Sequence, residues 1–83
     1  MDMTRQEIEQ TVNTFLVDEL EIDEDKVFGD ARLKEDMGID SLDFVDIVVI
    51  VERHFGFKIV PEEMAGVTTL HQFYDYIQSK VGQ

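Results

Sequence analysis

Cysteine is absent from these 83 residues, which removes disulfides and thiolate metal ligands together, so nothing in the chain demands an oxidising compartment. Positive charge is scarce: seven Lys and Arg stand against 19 Asp and Glu, for a net charge of −12. A chain this acidic repels phosphate backbones, which argues against nucleic acid and favours partners with basic patches. Long hydrophobic runs are missing too. The most apolar stretch, 42–51, is too short to span a bilayer and carries Asp43 and Asp46; with no signal-like segment, the expected location is cytoplasmic. The single proline leaves most of the chain free to form helix, and no internal repeat, low-complexity segment or linker interrupts it.

What is present is a chain 43% hydrophobic and 31% charged, with apolar residues recurring at regular spacing. That is the composition of a folded protein rather than a disordered one. At this length we expect a single domain over 1–83 with a modest core, and a monomer.

Thr4-Arg5-Gln6-Glu7 has the form of a capping box, after which Ile8, Val12, Phe15 and Leu16 fall on one stripe. This predicts an amphipathic first helix to about Leu20. From Glu21 to Asp40 the helical period fails, predicting a long loop pinned by scattered apolar residues: Ile22, Val27, Phe28, Leu33, Met37 and Ile39. The acidic run Asp23-Glu24-Asp25 invites a calcium reading. Counted from Asp23 as the first position of an EF-hand loop, however, position six is Phe28 instead of glycine and position twelve is Lys34 instead of glutamate. No metal site is expected.

Asp40 is a good N-cap, its carboxylate able to accept from the free N–H groups of a helix beginning at Ser41 and running to Phe55. Gly38 supplies permissive backbone before it, and Gly56 suits the left-handed position that ends it. On this helix Phe44, Ile47, Val48, Val51 and Phe55 cluster on one side, with Leu42, Val45 and Val49 on nearly the opposite side. A small domain cannot easily bury both, so the second stripe, flanked by Asp46, Glu52 and Arg53, is expected to be an exposed docking surface. The alternative is a central helix covered on both sides. Further on, Pro61-Glu62-Glu63-Met64-Ala65, closed by Gly66, reads as one or two helical turns. Thr69-Leu70-His71-Gln72 repeats the capping-box form, and Leu70, Phe73, Tyr74, Ile77 and Val81 make the stripe of a last helix, with Gly82 just beyond it.

Ser41 stands exposed at a helix mouth, but nothing marks it as a nucleophile. His54 lies 13 residues on along the same helix, roughly 20 Å away. His71, near the start of the last helix, is not excluded by its position but lies off the apolar stripe as a solvated surface histidine would, and no Gly-x-Ser-x-Gly elbow is present. The serine is better placed as another enzyme's substrate, among Asp36, Asp40, Asp43 and Asp46 with no Lys or Arg between them. Such a surface would attract a basic partner and seat it by apolar contact.

The run Asp30-Ala31-Arg32-Leu33-Lys34-Glu35-Asp36-Met37-Gly38-Ile39-Asp40-Ser41-Leu42-Asp43 closely resembles the acyl carrier protein signature, in which a leucine-glycine pair precedes an Asp-Ser-Leu core. Val45, Val48, Val51 and Phe55-Gly56-Phe57, then Ile59, Pro61, Thr68-Thr69 and Tyr76-Ile77, extend the likeness over about Thr4 to Lys80. The resemblance implies an all-α four-helix bundle, three longer helices and one short, with a long loop between the first two. It implies a non-catalytic carrier with 4′-phosphopantetheine covalently attached to Ser41, between Asp40 and Leu42. A phosphopantetheinyl transferase, holding a magnesium ion of its own, would move that group from coenzyme A. The terminal thiol would then carry acyl groups as thioesters between loading, elongating and transferring enzymes of fatty-acid, polyketide or related lipid biosynthesis. The partner-binding surface would comprise Asp36, Asp40, Leu42, Asp43, Val45, Asp46, Val49 and Glu52, with Phe44 and its side of the helix lining a core that can admit an acyl chain.

The chain departs from the family at Met37, where leucine is usual, and at Arg53 and His54, where fatty-acid carriers commonly have acidic residues. The latter pair would weaken the acidic field there and points to a carrier with its own partner enzymes. An aminoacyl or peptidyl carrier is the nearest rival, but Ile39-Asp40 differs from the context usual before its serine. An unmodified acidic helical interaction module is the other alternative.

Overall fold

The computed structural model describes residues 4–81. Helix α1 spans Arg5–Asp18. Its capping box is formed: Glu7 N–H donates to Thr4 Oγ1 at 3.1 Å, and Thr4 N–H to the Glu7 carboxylate at 2.8 Å. Ile8, Val12, Phe15 and Leu16 are all buried, as their spacing predicts. The helix ends two residues before the expected Leu20. There Leu20 N–H donates to Phe15 O, Ile22 N–H to Leu16 O, and Glu21 takes positive φ at 57°, reversing the chain so that Ile22 packs against the core.

The long connection to the second helix is ordered by pairing and burial. It contains a short 3-10 turn, Glu24–Lys26. Its later part is stapled to the start of the last helix: Leu33 N–H donates to Thr68 O and Leu70 N–H to Ala31 O, each at 2.9 Å, around an antiparallel bridge between Arg32 and Thr69. Met37 and Ile39 are buried, and Ile22, Val27 and Leu33 pack partly against the core. One expected anchor is not an anchor: Phe28 is 51% exposed, whereas Ala31, which carries no periodic signal, is fully buried. A small side chain faces inward where the loop runs closest beside Thr69.

Helix α2 spans Ser41–Phe55 and buries Ile47, Ile50 and Val51, with Phe44, Val48 and Phe55 partly covered. Each buried aliphatic side chain stabilises the fold by about 1.5–3 kcal/mol relative to exposure. That tertiary term supports a helix whose run of β-branched residues lowers its intrinsic propensity. Gly56 closes it at φ 78°. The short fourth helix is a 3-10 helix, Pro61–Gly66, and α3 spans Leu70–Val81 with Leu70, Phe73, Tyr74 and Ile77 inward. Gln72 N–H donates to Thr69 Oγ1 and the Gln72 side chain accepts from Thr69 N–H, completing the predicted box. The expected stop at Gly82 lies outside the described residues.

The α1–α3 seam is tied by Arg5, which pairs with Glu9 at 2.8 Å and Asp75 at 2.7 Å and lies over the Tyr74 ring. Burial pushes the Tyr74 hydroxyl up to about 12, so it stays protonated and donates to the Asn13 side chain. The result is the all-α bundle of three longer helices and one short one. Among the described residues there is no strand, no helix long and apolar enough to cross a membrane, and no group of three potential metal ligands.

Candidate functional site

Ser41 is the first residue of α2 and is exposed. Asp40 caps the helix through Asp43 N–H at 2.9 Å, and Asp43 returns the bond to Asp40 N–H at 3.3 Å, a reciprocal box whose second half the sequence reading did not foresee. The first main-chain bond at this helix start runs from Phe44 N–H to Asp40 O. The N–H groups of Ser41 and Leu42 therefore precede the bonded ladder and point out of the helix mouth, at the positive end of its dipole. No side-chain hydrogen bond engages the Ser41 hydroxyl among the described residues. The backbone before it reverses at Gly38, φ 74°, where a Cβ would meet nothing within 4 Å. A phosphodiester on the exposed hydroxyl would have these donors beside it, which fits the group that the resemblance implies. The carboxylates of Asp40 and Asp43 oppose it, though each is satisfied by a backbone N–H.

Ser41 also stands at the rim of a cleft of about 600 Å³. Gly38, Ile39 and Asp40, just before α2, and Phe44 on it line the cleft beside Ser41. The 3-10 helix and its end add Met64 and Val67 to the lining, and the loop before α2 adds Leu33 and Lys34. Neither histidine lines it. His71 N–H is bonded to Gly29 O at 2.8 Å, with its ring beside Tyr74, and His54 stacks on Phe15 at 6.1 Å near the other end of α2. Ser41 has no base there to make it a nucleophile in its own right.

The second stripe of α2 is solvent-facing: Leu42 is 78% exposed, and Val45 and Val49 are each 59% exposed. Asp46 and Glu52 flank it in the open. Asp36 is half-buried instead, tied to Arg32 through the backbone N–H at 2.8 Å and the guanidinium at 3.5 Å. The backbone bond first, and the guanidinium with it, hold its carboxyl below the ordinary value. Arg53 does not project a free charge at the far end of the stripe: it pairs with Glu19 at 2.7 Å, and His54 Nε2 lies 3.6 Å from the same carboxylate. Arg53 thus shares its charge with Glu19 at the end of α1.

The structure places Ser41, its Asp40 cap and the Leu42, Val45, Val49 stripe at the start and along one face of α2, while Met64 and Val67, which also line the cleft, were not reached by sequence reasoning. Met64 sits in a segment too short to show a period, and Val67 and Lys34 in segments with none, so only chain reversal brings them to Ser41. A further cluster was also missed. Glu63 accepts from Tyr76 Oη at 2.8 Å and pairs with Lys80 at 2.9 Å, while Tyr76 Oη accepts from Val60 N–H at 3.3 Å. Lys80 and Tyr76 together hold the Glu63 carboxyl below its usual value, and Glu63 raises that of Lys80.

Comparison with known proteins accords with this geometry. Residues 10–77 match the family described as "Phosphopantetheine attachment site". The acyl carrier protein of Thermotoga maritima is 35% identical over 79 residues, covering 95% of this chain and 98% of that protein. That of Rubrobacter xylanophilus is 37% identical over 75 residues, 90% and 93% of the two chains. That of Buchnera aphidicola subsp. Acyrthosiphon pisum is 34% identical over 73 residues, 88% and 91%.

Proposed function

The chain belongs to the acyl carrier protein family, non-catalytic carriers of a covalent 4′-phosphopantetheine, and from that membership we propose that Ser41 is the attachment point. One observation carries the reading: an exposed serine hydroxyl without a side-chain partner, at the mouth of α2 and on the rim of the cleft. The group, once attached, supplies a terminal thiol that holds acyl chains as thioesters. The protein's own residues supply the rest. Ser41 Oγ would form its bond to the pantetheine-side phosphorus of coenzyme A as the pyrophosphate link breaks and adenosine 3′,5′-bisphosphate leaves, and would give up its proton to the transferase, since this chain places no histidine beside it. The N–H groups of Ser41 and Leu42 would offer hydrogen bonds to the attached group's phosphate. Phe44, Met64 and Val67 offer an apolar surface to the cargo.

Partner enzymes would read the face formed by Leu42, Val45 and Val49 and its acids Asp40, Asp43, Asp46 and Glu52, with Asp36 at its edge. The fitting partners are a phosphopantetheinyl transferase and acyl-loading, elongating and transferring enzymes with basic patches, in fatty-acid, polyketide or related lipid assembly. The whole chain, 1–83, would act as one carrier domain, monomeric and cytoplasmic. Co-expression with a broad-specificity phosphopantetheinyl transferase should add the mass of one phosphopantetheinyl group, and Ser41→Ala should abolish the gain. A gain that survives the substitution puts the group on another residue and overturns Ser41 as its site, while no gain in the parent chain leaves an unmodified acidic interaction module as the better description.

A further inference from the structure

The 3-10 helix Pro61–Gly66 is the least anchored wall of the cleft. It buries no residue fully and has no side-chain cap at its start. Its inner side is Met64, followed by Val67, and both are only partly buried. By contrast α2, which contributes Ser41 and Phe44 to the lining, is fixed by three buried side chains. A segment with so little buried apolar surface opens locally at low free energy unless something else holds it.

What holds it is on its outer side. Tyr76 projects from α3, which is anchored by four buried residues, and its hydroxyl bridges two points of the short segment: it accepts from Val60 N–H at 3.3 Å and donates to Glu63 at 2.8 Å. Lys80, one turn further along α3, reaches both Glu63 oxygens at 2.9 and 3.1 Å and lies 5.5 Å over the Tyr76 ring. Phe57 packs edge-on against that ring at 6.0 Å. The contacts lie on the surface facing α3, while the cleft lies on the face carrying Met64, so they can set the wall's position without touching the cargo.

We propose that Tyr76, Glu63 and Lys80 form a clamp that fixes the distance of the Met64–Val67 wall from α2, and thereby determines which acyl chain lengths the cleft shields. The inference rests on the carrier reading above. Tyr76, Glu63 and Lys80 are positioning residues: they select cargo through Met64 and Val67 and make no contact with it.

Two measurements test it. In the unmodified protein, hydrogen exchange at the Val67 amide, which is bonded to Met64 O at 3.0 Å, reads the opening of the wall. Tyr76→Phe and Glu63→Gln should each raise that rate roughly twofold to fivefold, the factor expected for losing an exposed charged contact, while amides of α1 stay unchanged. In the modified protein, loaded with straight chains from butanoyl to hexadecanoyl, hydroxylamine cleavage of the thioester reads shielding against an acyl-coenzyme A control. The parent should shield best at one range of lengths, and both substitutions should move that range to longer chains. Met64→Trp, which fills the cleft and leaves the clamp intact, should move it to shorter ones. A parent and Met64→Trp that behave so, with Tyr76→Phe and Glu63→Gln matching the parent in both measurements, overturn the clamp alone. Equal cleavage at every length in all four proteins overturns the cargo role of the cleft, and the inference with it.

Discussion

Val45 and Val49 expose more than half their surface on a helix whose other side is packed into the core, as the proposed docking role requires. Replacing either by Asp should change folding free energy by no more than about 0.5 kcal/mol, as surface substitutions generally do. The same changes remove apolar contact from the face next to Ser41 and put a desolvation penalty into any interface formed there. Val45→Asp and Val49→Asp should accordingly melt near the parent temperature yet be modified more slowly, read as a fall in the transferase kcat/KM. Unfolding by either substitution would mean that this stripe is core. Arg53 behaves differently from its neighbours on this face: its charge is directed at Glu19 on the end of α1, so it links two helices as much as it shapes the surface.

Each long helix is announced in the sequence by a local device that survives folding. Thr4, Asp40 and Thr69 form their caps through bonds to residues three positions on, and the apolar stripes behind them supply the buried faces. The cap at Asp40 has the most at stake, because it fixes where α2 begins and so where Ser41 points. Asp40→Ala should lower stability by about 1 kcal/mol, with the urea midpoint falling and the slope unchanged, and Asp40→Asn should retain most of it. Local devices explain why Ser41 and the Leu42, Val45, Val49 face were legible without a structure. The loop was not, for the same reason inverted. Ala31 is buried and Phe28 exposed because residues 29–33 pair with residues 68–71, a contact between segments nearly forty residues apart that no local period encodes. Ile50, unassigned by the two-stripe reading, is buried because α2 meets neighbours over a wider arc than one stripe. Met64, Val67 and the Tyr76 cluster likewise depend on how the 3-10 helix folds back toward α2 and α3.

At the scale of the molecule, a net charge of −12 on 83 residues means that the folded state is compacted against its own repulsion, while the same field draws basic partners. The two carboxylates held below their usual values act in one direction with pH: Asp36 and Glu63 contribute their stabilisation in full above the ordinary carboxylate range. They lose it as pH falls through their lowered values, so acid weakens both the Arg32 turn and the clamp on the 3-10 helix. Salt acts in opposite directions on stability and on binding. At physiological ionic strength the screening length is about 8 Å and it shortens to about 3 Å at 1 M, so added salt damps repulsion between acids spread over the surface. The ion pairs it also damps are exposed ones, each worth at most about 1 kcal/mol. The repulsion should win. Raising sodium chloride from near zero to about 0.5 M should therefore raise Tm while lowering affinity for the transferase, mostly through a slower association rate. A Tm that falls with salt would show the surface ion pairs to be worth more than the repulsion. An affinity indifferent to salt would show that Asp43, Asp46 and Glu52 take no part in recognition, and that the apolar stripe alone seats the partner.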